Sequence, residues 1–139
     1  MSERALWHRL RAALCPYGWL LRVENIASPG TPDVAYCFTG GHAGWFELKY
    51  LKNWPIRAKT PVRIPTLTAD QCTCLEEIEA AGGAAWLLLQ VGPWYGLLPP
   101  VAARAIFKRQ AVRANIEQYG AEGWYPAIYL RKLMKKTCD

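Results

Sequence analysis

The sequence predicts an α/β domain, a small mixed central β-sheet flanked by helices, with elements in the order αβββαβ. Three observations carry this expectation. Residues 34–38 and 44–50 are short runs of β-branched, aromatic and other apolar residues flanking Thr39-Gly40-Gly41-His42, which reads as a hairpin. Residues 84–91 form a continuous apolar run, as in a strand buried on both faces. Between them lies a helical pattern at 69–81, so strands 44–50 and 84–91 should be parallel and joined by a right-handed crossover.

Each element has its own warrant. Ser2 is a suitable N-cap for a helix over Glu3 to Leu14, whose Ala5, Leu6, Leu10 and Leu14 form an apolar stripe. Glu3 lies in its first turn, where a carboxylate favours the helix dipole. Pro16 and Gly18 close the helix, and Trp19 to Glu24 reads as the first strand. A loop, Ala27-Ser28-Pro29-Gly30, leads to Asp33, and Ser28 and Thr31 are candidates for phosphate contacts.

After the hairpin, residues 51–65 contain Pro55, Pro61 and Pro65, which forbid a regular helix or central strand. Lys52, Arg57, Lys59 and Arg63 make this a basic loop, and Trp54 is its aromatic. Basic side chains interleaved with an aromatic suit phosphate binding and base stacking, and a strap with its charges in water is the plainer reading. Thr68 caps the helix at 69–81, which Gly82-Gly83 ends. Gly92-Pro93 turns the chain into a short strand at 94–98. Beyond Pro99-Pro100 a helix is expected over Ala102 to Arg113, with Ile106 inward and Arg104, Lys108, Arg109 and Arg113 outward. Residues 119–124 read as a loop. A last helix over Ala127 to Lys136 ends in Arg131-Lys132 and Lys135-Lys136, which suits a solvated face or a DNA grip.

The chain has 139 residues, which fits one domain over 1–139, with a core at about 1–98 and a basic helical extension at 99–139. Its hydrophobic fraction of 52% argues against disorder. Seven Trp and seven Tyr leave some aromatics for the core and others for stacking. A net charge of +6 suits a polyanionic partner such as nucleic acid, and is equally compatible with ordinary solubility. No apolar run is long enough to span a bilayer, and the N-terminus lacks a signal peptide's apolar core, so no membrane partner and a cytoplasmic location are expected. The five cysteines contain no Cys-x-x-Cys pair, and His8 and His42 lack partners at ligand spacing, so zinc is not expected.

The chemistry concentrates between Asp33 and Lys49. Side chains alternate along a strand, so Glu47 and Lys49 share one face, while Phe46, Leu48 and Tyr50 take the other, toward the core. The hairpin brings Asp33 toward Glu47. Two close carboxylates repel unless a cation lies between them, and Mg2+ or Mn2+ takes such oxygen ligands. A lysine beside that ion can orient water and stabilise charge on a phosphate. Taken singly, Asp33 could shape a turn and the Glu47/Lys49 pair could be a solvated face.

Pro32-Asp33 followed by Glu47-Leu48-Lys49 resembles the PD-(D/E)xK nuclease signature. The match is to the resolvase-like branch, with its Holliday junction resolvases, phage endonucleases and VRR-NUC modules. Gly30-Thr31-Pro32-Asp33 and Leu67-Thr68-x-x-Gln71 also look like that branch, and the resemblance covers about residues 20–91. It implies a restriction-endonuclease-like core and a metal-dependent DNA endonuclease in a bacterial or phage-infected cell. Asp33, Glu47 and the Leu48 carbonyl would hold the ion, Lys49 would position the attacking water, and Gln71 would support the site. Glu24, at the strand end feeding the loop to Asp33, is the better placed third acid, and Glu3 is the other candidate. The resemblance also implies DNA, including branched DNA, as partner, and a homodimer. The alternative is a DNA-binding or inhibitory module that kept the fold without the chemistry.

Overall fold

The computed structural model describes residues 2–24 and 28–120, together with the backbone of 125–126. The helices are α1 (Glu3–Leu14), α2 (Ala69–Ala80), α3 (Pro100–Phe107) and α4 (Arg113–Tyr119). The strands are β1 (Gly18–Arg22), β2 (Val34–Phe38), β3 (His42–Leu51), β4 (Ala85–Val91), β5 (Trp94–Leu98) and a two-residue β6 (Tyr125–Pro126). They lie side by side in chain order in one mixed sheet. Neighbours are antiparallel except β3 and β4, which are parallel and joined through α2. An α/β fold with a mixed sheet flanked by helices is therefore present. No helix among the described residues is long and apolar enough to cross a membrane.

The sheet is covered on both faces. Leu6, Trp7, Leu10 and Leu14 of α1 pack on Val34, Tyr36, Phe38, Phe46, Leu48 and Leu88. On the other face Cys72 and Leu75 of α2 and Ala102, Ala103 and Ile106 of α3 pack on Leu87, Leu89, Val91 and Leu98. Both clusters form because β4 carries apolar residues on both faces, while β3 adds Phe46 and Leu48 to the first. In the first cluster the Tyr36 ring stacks between Phe38 and Phe46, at centroid distances of 4.7 Å and 4.4 Å. The Trp86 indole donates to the Tyr36 hydroxyl at 3.2 Å.

The hairpin turn closes where the Gly41 N–H donates to the Phe38 carbonyl at 3.0 Å. Ser2 caps α1 by accepting from the Ala5 N–H at 3.1 Å. Thr68 and Gln71 form a reciprocal box at the start of α2. The Gln71 N–H donates to the Thr68 hydroxyl at 3.2 Å, and the Thr68 N–H donates to the Gln71 side-chain carbonyl at 3.0 Å.

Three boundaries differ from expectation. The first strand stops at Arg22, so Glu24 lies beyond it and is exposed. The helix expected over 102–113 ends at Phe107, because Arg109 takes a left-handed conformation with φ 56°. The Gln110 N–H donates to the Ala105 carbonyl at 2.9 Å, which closes the helix end in the way glycine usually does. A non-glycine residue there costs roughly 1–2 kcal/mol of strain. The turn lets the buried Ala111 offer its carbonyl to the Val62 N–H at 2.9 Å, and α4 follows as a separate helix. Tyr119, placed in a loop by the sequence reading, is the last residue of α4. The helix expected over 127–136 and its basic end lie outside the described residues.

Residues 52–65 are an anchored strap. Val62 and Ile64 are buried in the α2 layer, while Lys52, Arg57, Lys59 and Arg63 face water. Trp54 also packs against that layer, and the Arg113 guanidinium lies 5.2 Å from its ring centroid.

Gly30, at φ 88°, has the Asp70 backbone in the space a Cβ would fill. Gly30→Ala is expected to lower stability by about 1–3 kcal/mol, read by urea unfolding, because backbone must move in the loop that carries Asp33. Thr68→Ala is expected to cost about 1 kcal/mol in the same measurement through loss of the cap.

Candidate active site

β2 pairs with β3 only as far as Phe46, opposite Val34, the first residue of β2, while β3 continues to Leu51. The end of β3 therefore has an open edge on the β2 side. Asp33 fills the first position of that gap. Its carbonyl accepts from the Val23 N–H at 2.7 Å, and its Oδ2 accepts from the Leu48 N–H at 2.8 Å. The side chain thus takes over the hydrogen bond that a longer β2 would have made. The N–H and C=O of a strand residue face the same neighbour, so the Leu48 carbonyl is directed to this same gap.

Glu47 and Lys49 point from β3 into the α2 layer, beside their β4 neighbours Leu87 and Leu89. The sequence reading placed them on one face, and they share one. They are 1% and 2% exposed, which is rare for charged residues. The Lys49 Nζ donates to the Thr66 carbonyl at 2.9 Å. It also lies 3.5 Å from Glu47 Oε1 and 3.7 Å from Glu3 Oε1. Lys49 turns inward, and it does so into a polar enclosure. Glu3 belongs to the opposite layer and reaches Lys49 past the open edge of β3. The Thr66 hydroxyl holds it there, donating to Glu3 Oε1 at 3.1 Å.

Glu47 is the group under tension. Neither of its buried carboxylate oxygens has a hydrogen-bond partner among the described residues. Burial, then the negative charge of Asp33, pushes its carboxyl up to about 9, and the opposing pull of Lys49 is smaller. Without a cation Glu47 is therefore protonated at neutral pH.

The remaining expected residues are placed differently. The acid that contacts Lys49 is Glu3, and Glu24 is an exposed residue beyond the end of β1. Gln71 spends its side-chain carbonyl on the Thr68 N–H, so it serves as a helix cap. Trp54 is half-buried under Arg113 and is not a free stacking platform, whereas Trp19 and Trp94 are the exposed tryptophans among the described residues. The Thr31 hydroxyl donates to the Ser28 carbonyl at 2.9 Å and shapes the loop. Thr66 was not anticipated. Its roles rest on a backbone carbonyl, which no residue type signals, and on a hydroxyl that meets Glu3 only in the fold. Among the described residues no group of three or more His, Cys, Asp or Glu is arranged to hold a metal ion.

No protein-family model matches the sequence, and no curated protein is significantly similar to it. The likeness to PD-(D/E)xK nucleases accordingly rests on the residues themselves.

The raised Glu47 has a consequence for stability. Its unfolded value is near 4.5 and its folded value about 9, so the folded state binds the extra proton between them. That contribution is complete below about pH 4.5 and is lost as pH rises toward 9. In EDTA, Tm should fall across this window, and Glu47→Gln should flatten the fall and melt higher than wild type at pH 8. An unchanged pH profile in Glu47→Gln would show that Glu47 is not buried in the way described.

Proposed function

We propose that the protein is a divalent-cation-dependent nuclease that hydrolyses DNA phosphodiester bonds at the open edge of β3. The observation that carries this reading is the pair of buried Glu47 oxygens beside Asp33, neither with a hydrogen-bond partner among the described residues. Buried polar atoms are almost always satisfied, and a hard cation is the partner that two neighbouring carboxylates accept. Asp33, Glu47 and the Leu48 carbonyl are the groups that would hold Mg2+ or Mn2+, while Glu3 meets Lys49 at 3.7 Å. Such an ion, when bound, supplies the positive charge that acidifies a water and neutralises a phosphate.

The chain's own residues divide the other tasks. Asp33 is held in orientation by the Leu48 N–H at 2.8 Å. Lys49 is held by the Thr66 carbonyl and keeps an ammonium beside the carboxylates, where it can orient the attacking water and stabilise developing charge. Lys52, Arg57, Lys59 and Arg63 line the exposed side of the strap and suit the DNA backbone. Symmetric cutting of a branched substrate requires two such sites, so a homodimer belongs to this reading.

The burial of Lys49 favours one other reading, a DNA-binding or inhibitory module in which the cluster only braces the sheet. A panel of labelled linear, single-stranded and four-way-junction DNAs, incubated with Mg2+ or Mn2+ and with EDTA controls, separates the two. Cleavage is expected with metal only. Asp33→Asn, Glu47→Gln and Lys49→Met should each slow it by about 100-fold or more, with circular dichroism unchanged. Binding of every substrate with no cutting of any would establish the second reading.

Ion capture at Glu47 must displace its proton. Mn2+ affinity, followed by electron paramagnetic resonance, should therefore rise by about tenfold per pH unit up to about pH 9. In Glu47→Gln the affinity should be weak and insensitive to pH. A wild-type affinity that ignores pH would remove Glu47 from the ion's ligands.

A further inference from the structure

Beside the candidate active site, the strap and the end of α3 enclose a separate cavity of about 180 Å³. Its lining is Arg63, Ile64, Pro65, Leu67, Phe107 and Arg109, with Ile106 behind. No acidic residue lines it. Arg63 and Arg109 are exposed, and neither makes an ion pair among the described residues. The neighbouring Arg104 is differently employed. It is paired with Glu76 at 2.6 Å, donates to the Thr73 hydroxyl at 3.0 Å, and lies 5.9 Å from the centroid of the Phe107 ring. Arg104 therefore braces the wall of the cavity and leaves its two other guanidiniums available.

Arg109 adds an independent observation. It occupies the left-handed position at the end of α3, φ 56°, which glycine would take without strain. Strained backbone of this kind persists where surrounding contacts enforce it, here the bonds of Gln110 to Ala105 and of Val62 to Ala111. The same turn places Arg109 with Arg63 in the lining of the cavity.

The cavity is also tied to the catalytic cluster by a short piece of chain. Thr66, whose carbonyl holds Lys49, is three residues from Arg63, at most ~11 Å of extended backbone. Arg63, Pro65 and Thr66 are all exposed, so one open surface joins the two places.

We propose that this cavity is a phosphate subsite for the DNA strand, seating a backbone phosphate close to the one that is cut. The inference rests on the nuclease reading for its substrate class. The forked donors of Arg63 and Arg109 take the non-bridging oxygens, and Phe107, Ile64 and Leu67 receive the apolar edge of the adjoining sugar. One anchored phosphate sets the register of the strand, so that the scissile bond falls at Lys49.

The test is binding of a short labelled duplex and of a labelled four-way junction to the full chain in EDTA. It is read by fluorescence anisotropy over a series of salt concentrations. Arg109→Gly relieves the backbone, and Arg63→Gln alters only an exposed side chain, so the double variant should melt no lower than wild type. It should bind about tenfold more weakly, and the slope of log K against log salt should shrink by about 1, the loss of one phosphate contact. Arg11→Gln, on the exposed side of α1, removes one charge elsewhere and should leave the slope as it is. An unchanged affinity and slope in the double variant overturns the subsite. So does an equal loss in Arg11→Gln, or the absence of wild-type binding. The two proposals fail separately. A wild type that binds in EDTA but never cuts with Mg2+ or Mn2+ ends the nuclease reading and leaves the subsite standing. A wild type that cuts, beside a double variant that binds normally, ends the subsite alone.

Discussion

Strand β3 runs through the protein with both faces covered, and that burial is the constraint on which the rest depends. Such a strand has no solvated side on which to place a carboxylate and an ammonium. Glu47 and Lys49 nevertheless occupy consecutive positions of its α2 face, 1% and 2% exposed. Lys49 is compensated by the Thr66 carbonyl and the Glu3 carboxylate, both drawn from distant parts of the chain. Glu47 is compensated less completely and keeps a proton instead. The start of α1 and the segment before α2 are both pinned to the sheet by this requirement, through Glu3 and Thr66.

The early stop of β2 turns that constraint into an opening. A strand carried on for two more residues would cover the end of β3 with backbone. Asp33 replaces it with a single side chain, tied to β1 by its carbonyl and to β3 by its carboxylate. The edge is closed enough to be ordered and open enough for Glu3 to pass. A buried acid with no hydrogen-bond partner is expensive, and structures keep such groups chiefly where they serve a function. The nuclease reading draws its force from this cost. A solvated hairpin has no comparable expense to explain.

The basic strap shows the complementary economy. Its apolar residues Val62 and Ile64 are sunk in the α2 layer, and its cations are left in water. The hydrogen bond between Val62 and Ala111 ties the strap to the turn after α3, and this turn is the one that places Arg109. Core packing and the charged surface are thus set by the same few contacts. Trp54 illustrates the rule from the other side, since its ring gains more from the core and from Arg113 than from exposure.

What could be read from the residues was local or periodic. Ser2 and Thr68 as caps, the glycine turn of the hairpin, and the apolar run of β4 each depend on neighbours in the chain. The shared face of Glu47 and Lys49 follows from strand alternation alone. The choice between Glu3 and Glu24 could not be read, because it turns on where β2 ends and which layer can reach past it. The break after Phe107 was equally hidden, since it answers to a hydrogen bond with Val62 some fifty residues earlier, and a left-handed arginine carries no sequence signal. The capping role of Gln71 rests on the geometry of its carbonyl, which only the folded chain fixes. The amino-acid order by itself determined which side chains are available and which face of its strand or helix each occupies, because backbone geometry has short periods. Only the tertiary structure decided which of them meet, because contacts between distant segments are set by packing and by the need to satisfy buried polar atoms.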